Sequence, residues 1–208
     1  MNFRTLPRRI LVSAGCLVLV CLGGCAVVDQ KIGLNYARPD VSTVRHSGNI
    51  TVTRVVPQPA VKNSNGEWII GSLNNVHGVH QADLLSDRSP EEWITGALLL
   101  ELKQAGYTVN FAETLPAAVA RGIAITDITT FLTVNKGAVS ADTRHELRFN
   151  AEVYLNGDKV KTFTVASRDD RTVPLNASKE DKERIMLQSL QESMLKIIPE
   201  VIVMIDKK

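Results

Sequence analysis

The apolar run from Ile10 to Leu22 constrains this chain more than any other feature. It is only thirteen residues long, and a helix that crosses a bilayer needs ~20. Arg4, Arg8 and Arg9 precede it, and Gly23-Gly24 follow it. A basic segment, a short apolar core and a small-residue stop, in that order, make a secretory signal peptide. The rival reading, an uncleaved membrane anchor, calls for a longer run. Most of the chain must then fold outside the cytoplasm, without the segment that carried it there.

The run ends in Leu22-Gly23-Gly24-Cys25, which resembles a lipobox, the cleavage site of bacterial lipoprotein precursors. The resemblance implies a diacylglyceryl group on the Cys25 thiol, cleavage between Gly24 and Cys25, and an N-acyl lipid (palmitate or a similar chain) on the new terminus. The two glycines are small enough to let the backbone enter the peptidase. Cys16 also follows a small residue, in Ser13-Ala14-Gly15-Cys16, but cutting there would shorten the apolar core and leave an apolar stub. Each buried methylene contributes about 0.8 kcal/mol, and two or more chains hold a protein stably on a membrane without spanning it. Residues 1–24 are therefore assigned to the signal peptide, 25–48 to the acylated N-terminus and tether, and 49–208 to a single periplasmic domain. Ala26 stands where an Asp would favour retention in the inner membrane, so the same resemblance implies the outer membrane.

The whole chain carries a formal charge of +2. Removing three arginines and no acid leaves about −1 on the mature form, without a basic block of the kind nucleic-acid binding requires. Cys16 and Cys21 leave with the signal and Cys25 is acylated, so no disulfide is available. Stability must come from an ordinary apolar core, for which about 180 residues suffice. Beyond the covalent diacylglycerol and N-acyl lipid on Cys25, no cofactor is expected.

Periodicity predicts the elements. Ile32, Leu34 and Tyr36 alternate with Gly33 and Asn35, consistent with a short strand. Asn49–Val56 is β-branched and reads as a strand, and Glu67–Gly71 as another. Leu73–Arg88 is polar and reads as irregular. Ser89-Pro90-Glu91-Glu92 is a capping box with Pro at the first helical position. Ile94, Leu98, Leu102 and Ala105 then share a face, and Gly106 caps the C-terminus. Tyr107–Phe111 is a strand, Pro116–Ala120 a turn, and Ile123–Val134 a long strand with both faces partly covered. Arg144–Leu155 alternates and reaches Asn156-Gly157, the strongest hairpin signal in the chain, with Lys159–Ser167 as the returning strand. Ser178 caps a helix over Lys179–Ile198; Pro199 ends or kinks it, and Val201–Ile205 is a final helical turn or a short strand. The expected fold is α+β: a mostly antiparallel sheet with two main amphipathic helices packed on one face, the other face wet.

At family level the chain resembles the YajG-like lipoproteins of Gram-negative outer membranes. The likeness lies in Leu22-Gly23-Gly24-Cys25, in Ile32-Gly33-Leu34-Asn35-Tyr36, in Leu100-Glu101-Leu102-Lys103-Gln104-Ala105-Gly106-Tyr107, and in the strand pair and terminal helix that follow. It carries no settled biochemical activity. The layout is also similar to auxiliary lipoproteins of the PqiC and LptE types, at the level of fold.

Three groups of residues carry ligand or catalytic chemistry on paper. His77-Gly78-Val79-His80 with Asp83 and Asp87 could hold a metal through His77, His80 and Asp83, but Gly78 and Asn74-Asn75 argue for a loop, and no fourth ligand is evident. Ser140, Asp142 and His145 can be written as a triad, yet lack a Gly-x-Ser-x-Gly elbow. Asp169-Asp170-Arg171 reads as a solvated turn rather than a cation site. No catalytic residue and no metal site is assigned. The functional expectation is a non-catalytic accessory or binding module of the envelope, on the membrane through its lipid, with a protein or lipid partner. The alternatives are a periplasmic lipid carrier, which needs a long apolar groove between helix and sheet, and an envelope hydrolase using the His77–Asp87 loop.

Overall fold

A computed structural model describes residues 28–39, 46–54 and 60–206; Gly24, Cys25 and the signal segment lie outside the described residues. In chain order the elements are β1 (Gln30–Lys31), β2 (Asn49–Arg54), β3 (Trp68–Asn74), β4 (His80–Ser86), α1 (Pro90–Gln104), β5 (Thr108–Phe111), β6 (Arg121–Lys136), β7 (Ser140–Leu155), β8 (Asp158–Pro174) and α2 (Lys179–Ile205). The α+β class is as read from the sequence. The sheet is mixed, however, not mostly antiparallel: β1–β4, β2–β5, β2–β6 and β3–β6 pair in parallel, while β3–β4, β6–β7 and β7–β8 are antiparallel. The meander was legible because Asn156 and Gly157 both adopt positive φ, as a two-residue hairpin turn requires. The parallel pairings join segments far apart in sequence and leave no such local mark.

β6 organises the sheet. One edge pairs along its length with β7. The other edge takes two parallel partners in succession, β2 at Gly122–Ile125 and β3 at Leu132–Asn135. Between them lies a bulge, with the register slipping between Thr126 and Thr129 and Asp127 at φ 52°. A bulge bends a strand and increases its twist, which turns the second half of β6 toward a different neighbour. Asn150 on β7 donates to the Asp127 carboxylate at 2.6 Å and holds the bend.

Both helices lie on one face, α1 over β2, β5 and β6, α2 over β7 and β8. Each begins at the serine read as its cap: Ser89 Oγ accepts from Glu92 N–H at 3.0 Å, and Ser178 exchanges bonds with Asp181 in a full capping box. α2 runs through Pro199 to Ile205, so Val201–Ile205 is helical. Trp93, Ile94, Leu98 and Leu102 meet Ile50, Val52, Ile123 and Ile125 in the core beneath α1. On the opposite face Gly122 and Ala124 are buried too, and the loop carrying Leu115 and Val119 folds over Gly122.

Two regions differ from expectation. Residues 80–86, read as irregular, form β4, whose buried Ala82, Leu84 and Leu85 are diluted in sequence by His80, Gln81 and Asp83. Residues 30–38, counted with the tether and with Ile32–Tyr36 read as a short strand, pair as strand only at Gln30–Lys31, in β1; the rest is strapped between the helices. Ile32 and Leu34 are buried, and Asn35 and Ala37 carbonyls accept from Trp93 Nε1 at 3.1 Å and Gln191 Nε2 at 2.6 Å. Glu101 accepts from Tyr36 Oη and Arg38 Nε, and Glu183 from the Gly33 N–H.

Candidate binding surface

The residues singled out for chemistry form neither a triad nor a metal cluster among the described residues; His80 and Asp83 meet only as a pair. In a strand, side chains three apart point to opposite faces. Asp142 therefore sits on the wet face of β7, where it accepts from Thr172 Oγ1 at 2.9 Å, while His145 is fully buried on the helix face. Ser140 opens the strand opposite Pro174. His77 projects from an exposed turn, its backbone N–H held by Asn75 Oδ1. His80 Nε2 lies 3.4 Å from Asp83 Oδ1, both partly exposed, and Asp87 pairs with Lys31. Among the described residues, no three His, Cys, Asp or Glu side chains are grouped to hold a metal. Asp169-Asp170-Arg171 lies within β8 rather than in a turn.

The sequence reading missed a polar seam beneath α2. His145 Nε2 lies 2.7 Å from Thr130 Oγ1, and its Nδ1 has no partner. Burial pushes the imidazole down to about 4, against the pull of the Asp169 charge, so it is neutral at neutral pH. Asp169 is committed to Arg171 through two short contacts, and Arg171 also donates to Gln188 at 2.7 Å. Ser167 and Ser189 hydroxyls meet at 3.3 Å. This seam registers the helix on the sheet: every acid has a cation, and the hydroxyls bond to one another, to Thr130's histidine or to backbone. No hydroxyl in it is paired with a base whose other nitrogen is oriented by a carboxylate, the arrangement nucleophilic catalysis needs. The only signal for it in the sequence was period-2 alternation, which placed His145 in phase with Leu147 and Phe149.

The accessible features lie along β8. Among the described residues its outer edge is unpaired. No residue of β8 is fully buried; Phe163, Val165 and Ser167 are half-covered, facing α2. Beside them a cleft of about 190 Å³ runs between Phe163, Val165 and Ser167 on the strand and Ser193, Lys196, Ile197 and Glu200 on the helix. Natural edges are defended by charge. Here Lys159 and Lys161 stand on one side and Arg168 to Arg171 on the other, but Thr162–Ser167 carries none. The uncharged stretch is the one that borders the cleft. The cleft is smaller than the ~300–1,000 Å³ of typical small-molecule pockets, and deeper in, Leu190, Met194 and Val201 join Leu147, Phe149 and Val153 in the packed core. No helix among the described residues is long and apolar enough to cross a membrane.

No protein-family model matches the chain, and no curated protein does. Solved structures share part of its backbone path. A DUF330 protein from Xanthomonas campestris superposes with a TM-score of 0.48 at 11% identity, over 84% of this chain and 95% of that one. A homolog of the neuraminyllactose-binding hemagglutinin from Helicobacter pylori gives 0.46 at 12%, over 81% and 91%. Rare lipoprotein B from Shewanella oneidensis gives 0.34 at 10%, over 64% and 97%. Likenesses this distant define neither family nor function, and the YajG-like resemblance rests on the residues quoted for it alone.

Proposed function

We propose that this chain is a lipoprotein of the bacterial cell envelope, held by acylated Cys25 to the inner leaflet of the outer membrane, and that its domain is a non-catalytic accessory module. The module takes a protein partner by strand addition to β8. The observation that carries this is the uncharged, unpaired edge at Thr162–Ser167 beside the α2 cleft. Strand addition uses the free backbone groups of an edge for affinity and an adjoining cleft for side-chain specificity. The cleft offers an apolar floor at Phe163, Val165 and Ile197, with Lys196 and Glu200 on the helix side. An incoming strand with an apolar residue at every second position suits that pattern.

The test is a photo-crosslinking residue at Thr164 in the full chain in intact cells, with Arg148 on the wet face of β7 as the control site. One dominant protein adduct at 164, absent at 148 and lost in Cys25→Ala and in Ala166→Lys, is expected. Ala166 is exposed, so the lysine charges the edge with a stability change within about 0.5 kcal/mol. Adducts that form equally at both sites, or survive Ala166→Lys, would remove the β8 reading.

A further inference from the structure

We propose that one end of the sheet rests on the phospholipid bilayer, with the β3–β4 turn, the β6–β7 turn and the β8–α2 loop entering the headgroup layer. This rests on the reading that Cys25 is acylated, and adds to it which surface meets the lipid.

Strand direction brings these three connections together. β3 and β6 run parallel with Asn74 beside Asn135, their side chains bonded at 3.0 Å, so the turns after them emerge side by side. Ser140 pairs with Pro174, which adds the loop after β8. β1 runs parallel to β4 with Gln30 beside Leu84, so the chain upstream of Gln30 leads back toward this same end. Gln30 in fact lines a cleft of about 280 Å³ together with Lys136, Leu175 and Lys182. Cys25 precedes the exposed Val28 by three residues, a reach of at most about 11 Å. An acylated Cys25 therefore holds this end near the membrane, whatever path the link takes.

The end is built for that position. Val76, Val79, Val139 and Leu175 are 66%, 58%, 87% and 42% exposed, one or two on each connection, and Val28 is 69% exposed. No carboxylate occurs in residues 75–80, 136–140 or 174–178, whereas Lys136 does; Lys182 behind it is buried, its ammonium bonded to the Ala177 and Ser178 carbonyls. Apolar tips beside a lysine and free of carboxylates suit a surface with anionic headgroups. The opposite end, at the β7–β8 turn, carries Asp158 and Lys159. Each tip also satisfies backbone groups internally: Asn75 N–H donates to Val79 O, Gly137 N–H to Ser140 O and Ala177 N–H to Pro174 O. The Asn75 side chain takes the N–H groups of His77 and Val79. Fewer unpaired amides lower the cost of leaving water. Exposed valines at two turns and an exposed leucine at a third connection, which serve no packing purpose in water, thereby acquire one.

The test uses the full chain, processed in cells and purified with its lipid, whose acylation is established by mass spectrometry. Single cysteines at Val79, Val139 and Asp158 are labelled with an environment-sensitive fluorophore; the processed chain has no other free thiol under the acylation reading. The protein is reconstituted in vesicles of phosphatidylethanolamine and phosphatidylglycerol doped with a nitroxide lipid. Labels at 79 and 139 should be quenched about threefold or more relative to 158, as interfacial depth requires. Replacing Val76, Val139 and Leu175 together by Ser, with the label at 79, should reduce that contrast while leaving thermal unfolding unchanged. An acylated protein quenched equally at all three sites, or most at 158, overturns the orientation alone. An unacylated Cys25 overturns the anchor reading and the orientation with it.

Discussion

The two helices cover the same face of one sheet, but they cover it differently. Under α1 the layer is closed: Trp93, Ile94, Leu98 and Leu102 are buried against β2 and β6, and the strap at residues 32–38 seals the side. Under α2 the layer is apolar toward β7 but opens at β8, where no residue is fully buried and a polar seam replaces part of the core. A helix–sheet contact that needed only stability would resemble the first. The second keeps an edge, a cleft and a buried neutral histidine, each of which costs stability or invites association. The α1 side is built as a closed scaffold, and the β8–α2 side is the one the proposed binding would use.

The largest expected effect breaks the closed side. Trp93→Ala removes a buried indole and leaves the Asn35 carbonyl without its donor, so urea unfolding should show a loss of about 3–5 kcal/mol. If the strap is part of the scaffold, limited proteolysis near residue 35 should rise in the same variant.

Next in size is the pH response of the α2 side. The folded-state pKa of His145 lies near 4, below its ordinary value of 6.5. As pH falls through 6.5 the unfolded chain takes up a proton that the folded chain refuses, so stability present above 6.5 is lost as pH falls toward 4. The loss should approach about 3 kcal/mol at the low end. The charged neighbour that acts on it is Asp169 on β8, itself paired with Arg171. His145→Leu should flatten the difference between urea midpoints at pH 7.5 and 5; an unchanged slope would mean the imidazole is not held neutral.

The smallest effect compares the two caps. Ser178→Ala should cost about 1 kcal/mol, because an exposed capping box is lost. Ser89→Ala should cost somewhat more, since Ser89 is buried and water cannot replace its bond to Glu92 N–H. Equal costs would weaken the contrast between the two sides.

What could be read in advance follows the range of the interactions. Caps, the Asn156-Gly157 hairpin and the alternation of β7 are local and were legible. The pairings of β2 and β3 with β6 depend on a bulge at Asp127 that no periodicity announces. β4 was hidden because charged and polar residues occupy its exposed positions. The candidate site was less legible still. Thr162–Ser167 reads as an ordinary strand, and only the sheet order shows that, among the described residues, nothing pairs with its outer edge. The triad on paper failed for a simple reason: residues 142 and 145 face opposite sides of one strand.

The proposed function depends on the β8 edge. Hydrogen exchange of the purified protein, resolved to single amides over residues 158–174, tests it most directly. Alternate amides from Thr162 to Ser167 should exchange fast, those bonded to β7 slowly, while Thr51 and Val52 in β2, flanked on both sides, stay protected. Slow exchange at every amide from 162 to 167 would mean that the edge is already covered in the isolated protein, and the binding surface would have to be sought elsewhere.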